Sequence, residues 1–164
     1  MGTGLGEVSI LTRREIEARM AAPFVQALVR ELGQERGLEI VREIIESLAR
    51  ESGAEMATLL KGRTVAHFAK GLKYWMQDNA LEIEVLEQTD VTFSFNVVRC
   101  RYAEMYKRMG LAHLGEHLSC ARDYAFMTGF NPNIRLTRTK TIMEGAGYCD
   151  FKYQLVETAT DKSK

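Results

Sequence analysis

Apolar residues recur first at helical and then at strand spacing along this chain. Thr12 stands three positions before Glu15, the capping-box spacing that marks a helix start. From there Ile16, Met20, Phe24, Leu28 and Leu32 repeat every four residues, a stripe expected to face a core and to kink or split at Pro23. Gly33 and Gly37 bracket a break. A second helix carries Leu38, Val41, Ile45 and Leu48 on one edge, and its pattern resumes past Gly53 through Met56, Leu59 and Leu60 to Gly62. A third begins near Thr64, burying Val65, Phe68, Leu72 and Trp75/Met76, and ends at Asp78-Asn79. The period then drops to two. Leu81, Ile83 and Val85 alternate with Glu82 and Glu84, and Val91, Phe93, Phe95 and Val97 alternate with Thr92, Ser94 and Asn96, which reads as a hairpin. Helices around 99–109 and 112–128 follow, broken at Gly110 and ended near Gly129. A second hairpin spans Ile134 to Leu155. The expected fold is α+β: a four-stranded antiparallel sheet of two β-hairpins separated by a helix pair, packed against helices, with an N-terminal helical region.

At 164 residues, without a linker or an internal repeat, the chain reads as one domain. Residues 1–11 are expected to be a flexible start, 12–79 helical, 80–157 a ββααββ core and 158–164 a polar tail. Apolar residues at 46% and charged residues at 27% are the proportions of an ordinary globular protein. Zero formal charge and the lack of a basic run argue against nucleic acid or an anionic membrane as partner. No apolar run is long enough to span a bilayer and the start lacks a signal-peptide pattern, so the expected compartment is the cytoplasm. Cys100, Cys120 and Cys149, odd in number and without a Cys-x-x-Cys pair, do not read as a disulfide framework or a four-thiolate zinc site. Trp75, Met76 and Phe130 are large enough to form a contact between copies, so a homo-oligomer is among the expectations.

The second hairpin holds the chemistry. Alternation puts Arg138 on the face of Ile134, Leu136 and Ile142, and Cys149 on the face of Phe151, Tyr153 and Leu155. Arginine rarely points at a core unless an anion meets it. That anion could be a ligand, or it could be Asp123 or Glu144 in a purely structural pair. The helix at 112–128 carries Leu114, Leu118, Ala121 and Ala125 on one edge. His113, His117, Cys120 and Tyr124, flanked by Glu116 and Asp123, share another, which is either a solvated face or a pocket wall. Cys149 is either a small core residue or a reactive thiol; Cys100, before Arg101-Tyr102, reads as core. A zinc site from His117, Cys120 and Cys149 lacks standard spacing, and Gly145-Ala-Gly147 does not make a phosphate loop. A site with neither metal nor cofactor is the expectation.

Three segments carry a resemblance: Asn96-Val-Val-Arg-Cys100-Arg-Tyr102-Ala-Glu104-Met-Tyr106, Leu118-Ser-Cys120-Ala-Arg-Asp123, and Arg138-Thr-Lys-Thr-Ile-Met-Glu-Gly145-Ala-Gly-Tyr-Cys149-Asp150-Phe-Lys-Tyr153. With the opening Leu11-Thr-Arg-Arg-Glu15 and Ala21-Ala-Pro23, the chain resembles the L-2-amino-thiazoline-4-carboxylic acid hydrolase family over nearly its whole length. The resemblance implies a hydrolase that opens a cyclic amidine-like C–N bond in a small carboxylate-bearing substrate, yielding S-carbamoyl-cysteine. Such chemistry needs a carboxylate anchor, a nucleophile or activated water, a proton donor and shielding from solvent. On chemical grounds Arg138 is the candidate anchor, Cys149 the nucleophile with a lowered pKa, Asp123 or His117 the proton carrier and Cys120 a second thiol. Tyr102, Thr139 and Tyr124 complete the expected substrate contacts. Water activated by Asp123 is the alternative nucleophile. The competing class is a small-molecule-binding or thiol-based sensor module without catalysis.

Overall fold

The computed structural model describes residues 8–156. The glycine-rich start and the polar tail expected from the sequence lie mostly outside those residues. Helix α1 (Ile10–Leu32) and helix α2 (Gln34–Leu59) form a hairpin turned by Gly33 at φ 84°. Helix α3 (Val65–Gly71) and two 3-10 turns (Leu72–Tyr74 and Gln77–Asn79) lead to strands β1 (Leu81–Gln88) and β2 (Thr92–Cys100). Helix α4 (Arg101–Arg108) and α5 (Ala112–Gly115), a π-helical turn (Glu116–Cys120) and α6 (Arg122–Phe130) follow. Strands β3 (Ile134–Thr137) and β4 (Cys149–Leu155) complete the chain. The sheet is four-stranded and antiparallel in the order β1-β2-β4-β3. This is the α+β arrangement expected, with the long crossover from β2 filled by helices.

Register builds the inner sheet face. Phe95 pairs with Phe151, Phe93 with Tyr153, and Val97 with Cys149. Leu136 pairs with Tyr153 from the other side. These rings meet Phe68, Trp75, Phe126 and Phe130 from the helices, at centroid separations from 4.4 to 6.5 Å. Phe130 is completely buried, and Trp75 and Met76 pack against this core, so none of the three forms the outward patch expected of them.

Helix α2 does not end at Gly53; it crosses α6 there. A β-carbon at Gly53 would lie 2.1 Å from the Phe126 carbonyl oxygen, and one at Gly129 would lie 1.9 Å from the carbonyl oxygen of Arg50. Only glycine on both helices lets the two backbones touch.

The first helix departs from expectation. It starts at Ile10, with the Ser9 hydroxyl accepting the Thr12 N–H, so Thr12 is inside the helix and not its cap. It continues through Pro23 without splitting. The stripe of Ile16, Met20, Phe24 and Leu32 faces outward, each half or more exposed, with Ile44, Leu48 and Leu59 of α2. Packing explains this. One residue joins α1 to α2, and so close a hairpin buries the small side chains Ala18 and Ala22 with Val25 against Val41 and Ile45. Gly37, expected at a break, lies inside α2, where a β-carbon would meet the Val29 backbone at 2.9 Å. The bulky stripe is left over.

Because the clash at Gly53 is with backbone, Gly53→Ala should destabilise by more than about 2 kcal/mol, although alanine is the better helix former. Urea unfolding measures it, and a neutral or stabilising result would contradict the crossing. Leu118→Ala, at a side chain only 4% exposed beneath α1, should lose roughly 2–5 kcal/mol in the same assay.

Candidate active site

A cavity of about 1340 Å³ lies between the inner sheet face, α6 and the α1–α2 hairpin. Phe95, Val97, Phe151, Tyr153, Trp75 and Phe126 line it from the sheet side, and Met20, Phe24, Ile44 and Leu48 overhang it from the helices. Its wall is mostly apolar. The polar groups converge where β4, the end of β3 and α6 meet.

Arg138 follows the last residue of β3 and keeps the inward face of Ile134 and Leu136. Its side chain is 8% exposed. Its Nη1 donates to Asp123 Oδ2 in a short ion pair, and its Nη2 donates to the Cys120 carbonyl oxygen at 3.3 Å. The guanidinium lies 5.3 Å from the ring centres of both Tyr124 and Phe151, which flank it. Of the two anions considered for this arginine, the structural one is present. Asp123 lies deep in the protein, yet 31% of its side chain is accessible because it lines the cavity. Burial pushes its carboxyl above the ordinary carboxylate range, and the Arg138 guanidinium works against that rise.

A π-helical turn aims these groups. The Ala121 N–H donates to the Glu116 carbonyl oxygen at 2.9 Å, one residue further back than in an α-helix. The extra residue breaks the stripe read from a continuous 100° helix. After the turn, Cys120 and Asp123 line the cavity; before it, His113 is exposed and His117 is half-buried outside the lining. His117 is therefore not among the cavity groups expected of it. The irregular turn also leaves the Leu118 carbonyl free to accept from Arg122 Nε at 3.0 Å.

Cys149 opens β4, buried, with its Sγ accepting the Ile142 N–H at 3.2 Å. Burial pushes its thiol pKa up, while the Ile142 N–H and Arg138 pull the other way. The lowered pKa expected of a standing thiolate is not present. Cys100 and Cys120 line the same cavity, and burial raises Cys100 to about 11 and Cys120 higher still. Each of these thiols feels the charge of Asp123. Cys100, read as plain core, belongs to the wall. Its position at a strand end gave no periodic signal of this.

Five of the eight expected site residues therefore line one cavity: Cys149, Asp123, Cys120, Arg138 and Tyr102. Tyr102 is 7% exposed and its hydroxyl donates to the Trp75 carbonyl oxygen at 3.2 Å. Tyr124 is outside the lining. It donates to the Arg138 carbonyl oxygen at 3.0 Å and holds the arginine from behind. Thr139 is exposed and bound to Asp150 through both its N–H (2.9 Å) and its hydroxyl (2.6 Å). It fastens the loop between β3 and β4 and does not reach the cavity. Ile142 lies in that loop, because β3 ends at Thr137. Among the described residues no group of three or more His, Cys, Asp or Glu side chains is arranged to hold a metal ion, and no helix is long and apolar enough to cross a membrane.

The architecture is thus an α+β domain enclosing one large apolar cavity with a buried Asp-Arg pair and three protonated thiols at its polar end. The sequence model of the L-2-amino-thiazoline-4-carboxylic acid hydrolase family matches residues 13–153, and the chain belongs to that family. No curated protein matches it. Among solved structures it is similar to a trafficking protein particle complex subunit 3 from Naegleria fowleri covalently bound to palmitic acid. There the TM-score is 0.52 at 9% identity, over 88% of this chain and 96% of that one. It is also similar to the phenol-responsive sensory domain of the transcription activator PoxR with phenol, with TM-score 0.54 at 14% identity, over 84% and 73%. These likenesses are of fold alone.

A folded-state thiol pKa raised above the unfolded value favours the folded protein below the unfolded pKa, and that advantage is lost as pH rises toward the folded one. For Cys100 the window runs from the ordinary 9.0 to about 11. Stability should fall by on the order of 2 kcal/mol across it. Above pH 10, Tyr102, raised by burial, adds to the loss, while Arg122, pushed down to about 10 by burial, opposes it. The clean interval is pH 9–10. Urea unfolding at steps of pH there should give a downward slope that Cys100→Ala flattens; an unchanged slope would mean the thiol is not desolvated.

Proposed function

We propose that the protein is a hydrolase that opens a cyclic amidine at its ring C–N bond, with L-2-amino-thiazoline-4-carboxylate as the substrate to test first. Family membership supports the reaction class. The single observation that carries the site is Asp123, a carboxyl with a raised pKa and accessible surface, held by Arg138 inside a water-excluding cavity. A carboxyl shifted toward neutral pH is suited to taking a proton and returning it.

In this reading, water adds to the carbon between sulfur and nitrogen. A C–O bond forms, and the proton lost by water passes to Asp123 while the ring nitrogen gains one. The tetrahedral carbon then collapses: its hydroxyl becomes a carbonyl, the bond to the ring nitrogen breaks, and the nitrogen leaves as an amine with a second proton. One water is consumed and S-carbamoyl-cysteine results. Arg138 holds the Asp123 carboxylate in place and stabilises its charged form. Cys149, Cys120 and Cys100, all neutral, border the reacting carbon as a polarizable wall.

One observation favours a second reading in which Cys149 attacks. Its Sγ already accepts the Ile142 N–H and feels Arg138, both of which stabilise a thiolate formed during the reaction. The binding-only class remains the rival to both, since a cavity so apolar would suit a ligand that is held and not turned over.

Ring opening of the thiazoline carboxylate, followed by product chromatography, separates the three. Wild-type turnover with Cys149→Ala within about tenfold supports attack by water. Loss of turnover in Cys149→Ala, with a covalent adduct on Cys149 by mass spectrometry, supports the thiol. Asp123→Asn should lower kcat by about 10²–10⁴-fold. Asn leaves Arg138 buried and unpaired, so the double variant Asp123→Asn/Arg138→Gln, which removes both charges, serves as the folded control. Binding without turnover in the wild type would overturn the hydrolase reading.

A further inference from the structure

The Arg138 guanidinium is occupied by Asp123 and the Cys120 carbonyl, which leaves the substrate carboxylate of the proposed reaction without a receptor. We propose that Arg13, supported by Arg14, is that receptor: the first turns of α1 form the anion-binding end of the cavity. The proposal rests on the hydrolase reading for its substrate, but its site is defined by observations of its own.

Both arginines line the cavity. The Arg13 Nε is buried and has no hydrogen-bond partner among the described residues, nor does Arg13 join any ion pair there. Arg14 shares one carboxylate with Arg122: Glu17 lies 2.5 Å from Arg14 and 3.3 Å from Arg122. Arg13, Arg14, Arg122 and Arg138 thus face only Glu17 and Asp123, and Asp123 is itself shifted toward its neutral form. Glu51 and Glu55 reach the cavity from α2, but both are exposed and neither pairs with these arginines. The polar end of the cavity carries unbalanced positive charge.

The sequence position sharpens this. The first turn of α1 has no acidic residue, although acids are favoured at a helix N-terminus and cations are not. Two consecutive arginines there cost helix stability that a bound anion would restore. Their charge reaches the reacting groups: Arg14 acts on both Tyr102 and Asp123, and Arg13 on Tyr102. Arg13 and Arg14 therefore address the same end of the cavity as the Asp-Arg pair. A carboxylate fits a guanidinium fork with two parallel hydrogen bonds. A substrate with its carboxylate on Arg13 and its amidine toward Asp123 places each group against its opposite charge. The ligand class is a small carboxylate joined to a basic or amidine-like ring.

Thiazolidine-4-carboxylate is the probe, because its saturated ring has the carboxylate but no amidine to hydrolyse. Calorimetric titration should show wild-type binding weakened about 10- to 100-fold in Arg13→Gln, the loss expected for a charged hydrogen bond. Arg13→Lys, which keeps charge without the fork, should fall between the two. In turnover of the thiazoline carboxylate, Arg13→Gln should raise KM by a similar factor with a smaller change in kcat. The amidine lacking its carboxylate, 2-amino-thiazoline, should be handled equally by wild type and variant. Melting curves check that each variant is folded. Where Arg13→Gln does not fold, Arg13→Lys carries the comparison. Turnover with probe binding and KM unaltered by the folded variants would overturn the anion site and leave the hydrolase reading intact. Arg13-dependent probe binding without turnover would do the reverse.

Discussion

Contact between the backbones of α2 and α6 at Gly53 and Gly129 is the constraint on which this architecture hangs. Side chains of any size at these positions would hold the helices apart. Once α2 is seated on α6, the hairpin through Gly33 sets where α1 runs, and the space left between α1, α6 and the sheet is the cavity. Phe126 and Phe130, on the turns of α6 that meet Gly53, also cap the aromatic layer over Phe68 and Tyr153. The close crossing thus joins the hydrophobic core to the wall of the site. Elsewhere in the core a methyl group more or less is a matter of packing; here it would decide the helix spacing.

The polar end of the cavity gathers groups from parts of the chain far apart in sequence: Asp123 after the π-helical turn, Arg138 after β3, Cys149 at the start of β4, and Arg13 and Arg14 in the first turns of α1. Each is held by backbone. The Cys120 carbonyl fixes Arg138 from below, Tyr124 fixes it from behind, and the Ile142 N–H fixes the Cys149 sulfur. The site is built before any ligand arrives, with opposite charges set at separate points on an apolar wall.

Much of this was legible from residue order because strand periodicity is rigid. A period of two puts Arg138 and Cys149 inward whatever else happens, and the hairpins dictate an antiparallel sheet. Asp123 as the partner of Arg138 was one of the two structural anions open at that stage. What escaped has physical causes. The 100° rule assumes an unbroken α-helix, so the extra residue at 116–120 carried His117 away from the groups it was grouped with. An apolar stripe signals burial only when nothing smaller competes for the interface, and in α1 the alanines won. Cys100 and Arg13 sit where an element begins, and periodicity has nothing to say at an element's end.

The π-helical turn has a consequence for how this chain can vary. An α-helix advances 100° per residue, so removing one residue between Glu116 and Ala121 would restore regular geometry and rotate everything after it by that angle. Phe126 and Phe130 would leave the aromatic layer, Gly129 would turn away from α2, and Asp123 would swing off Arg138. The segment's length is therefore coupled to three separate contacts at once. Substitutions can accumulate in this stretch, but a single-residue deletion would read out as loss of the fold, which makes chain length here a stricter signature than residue identity.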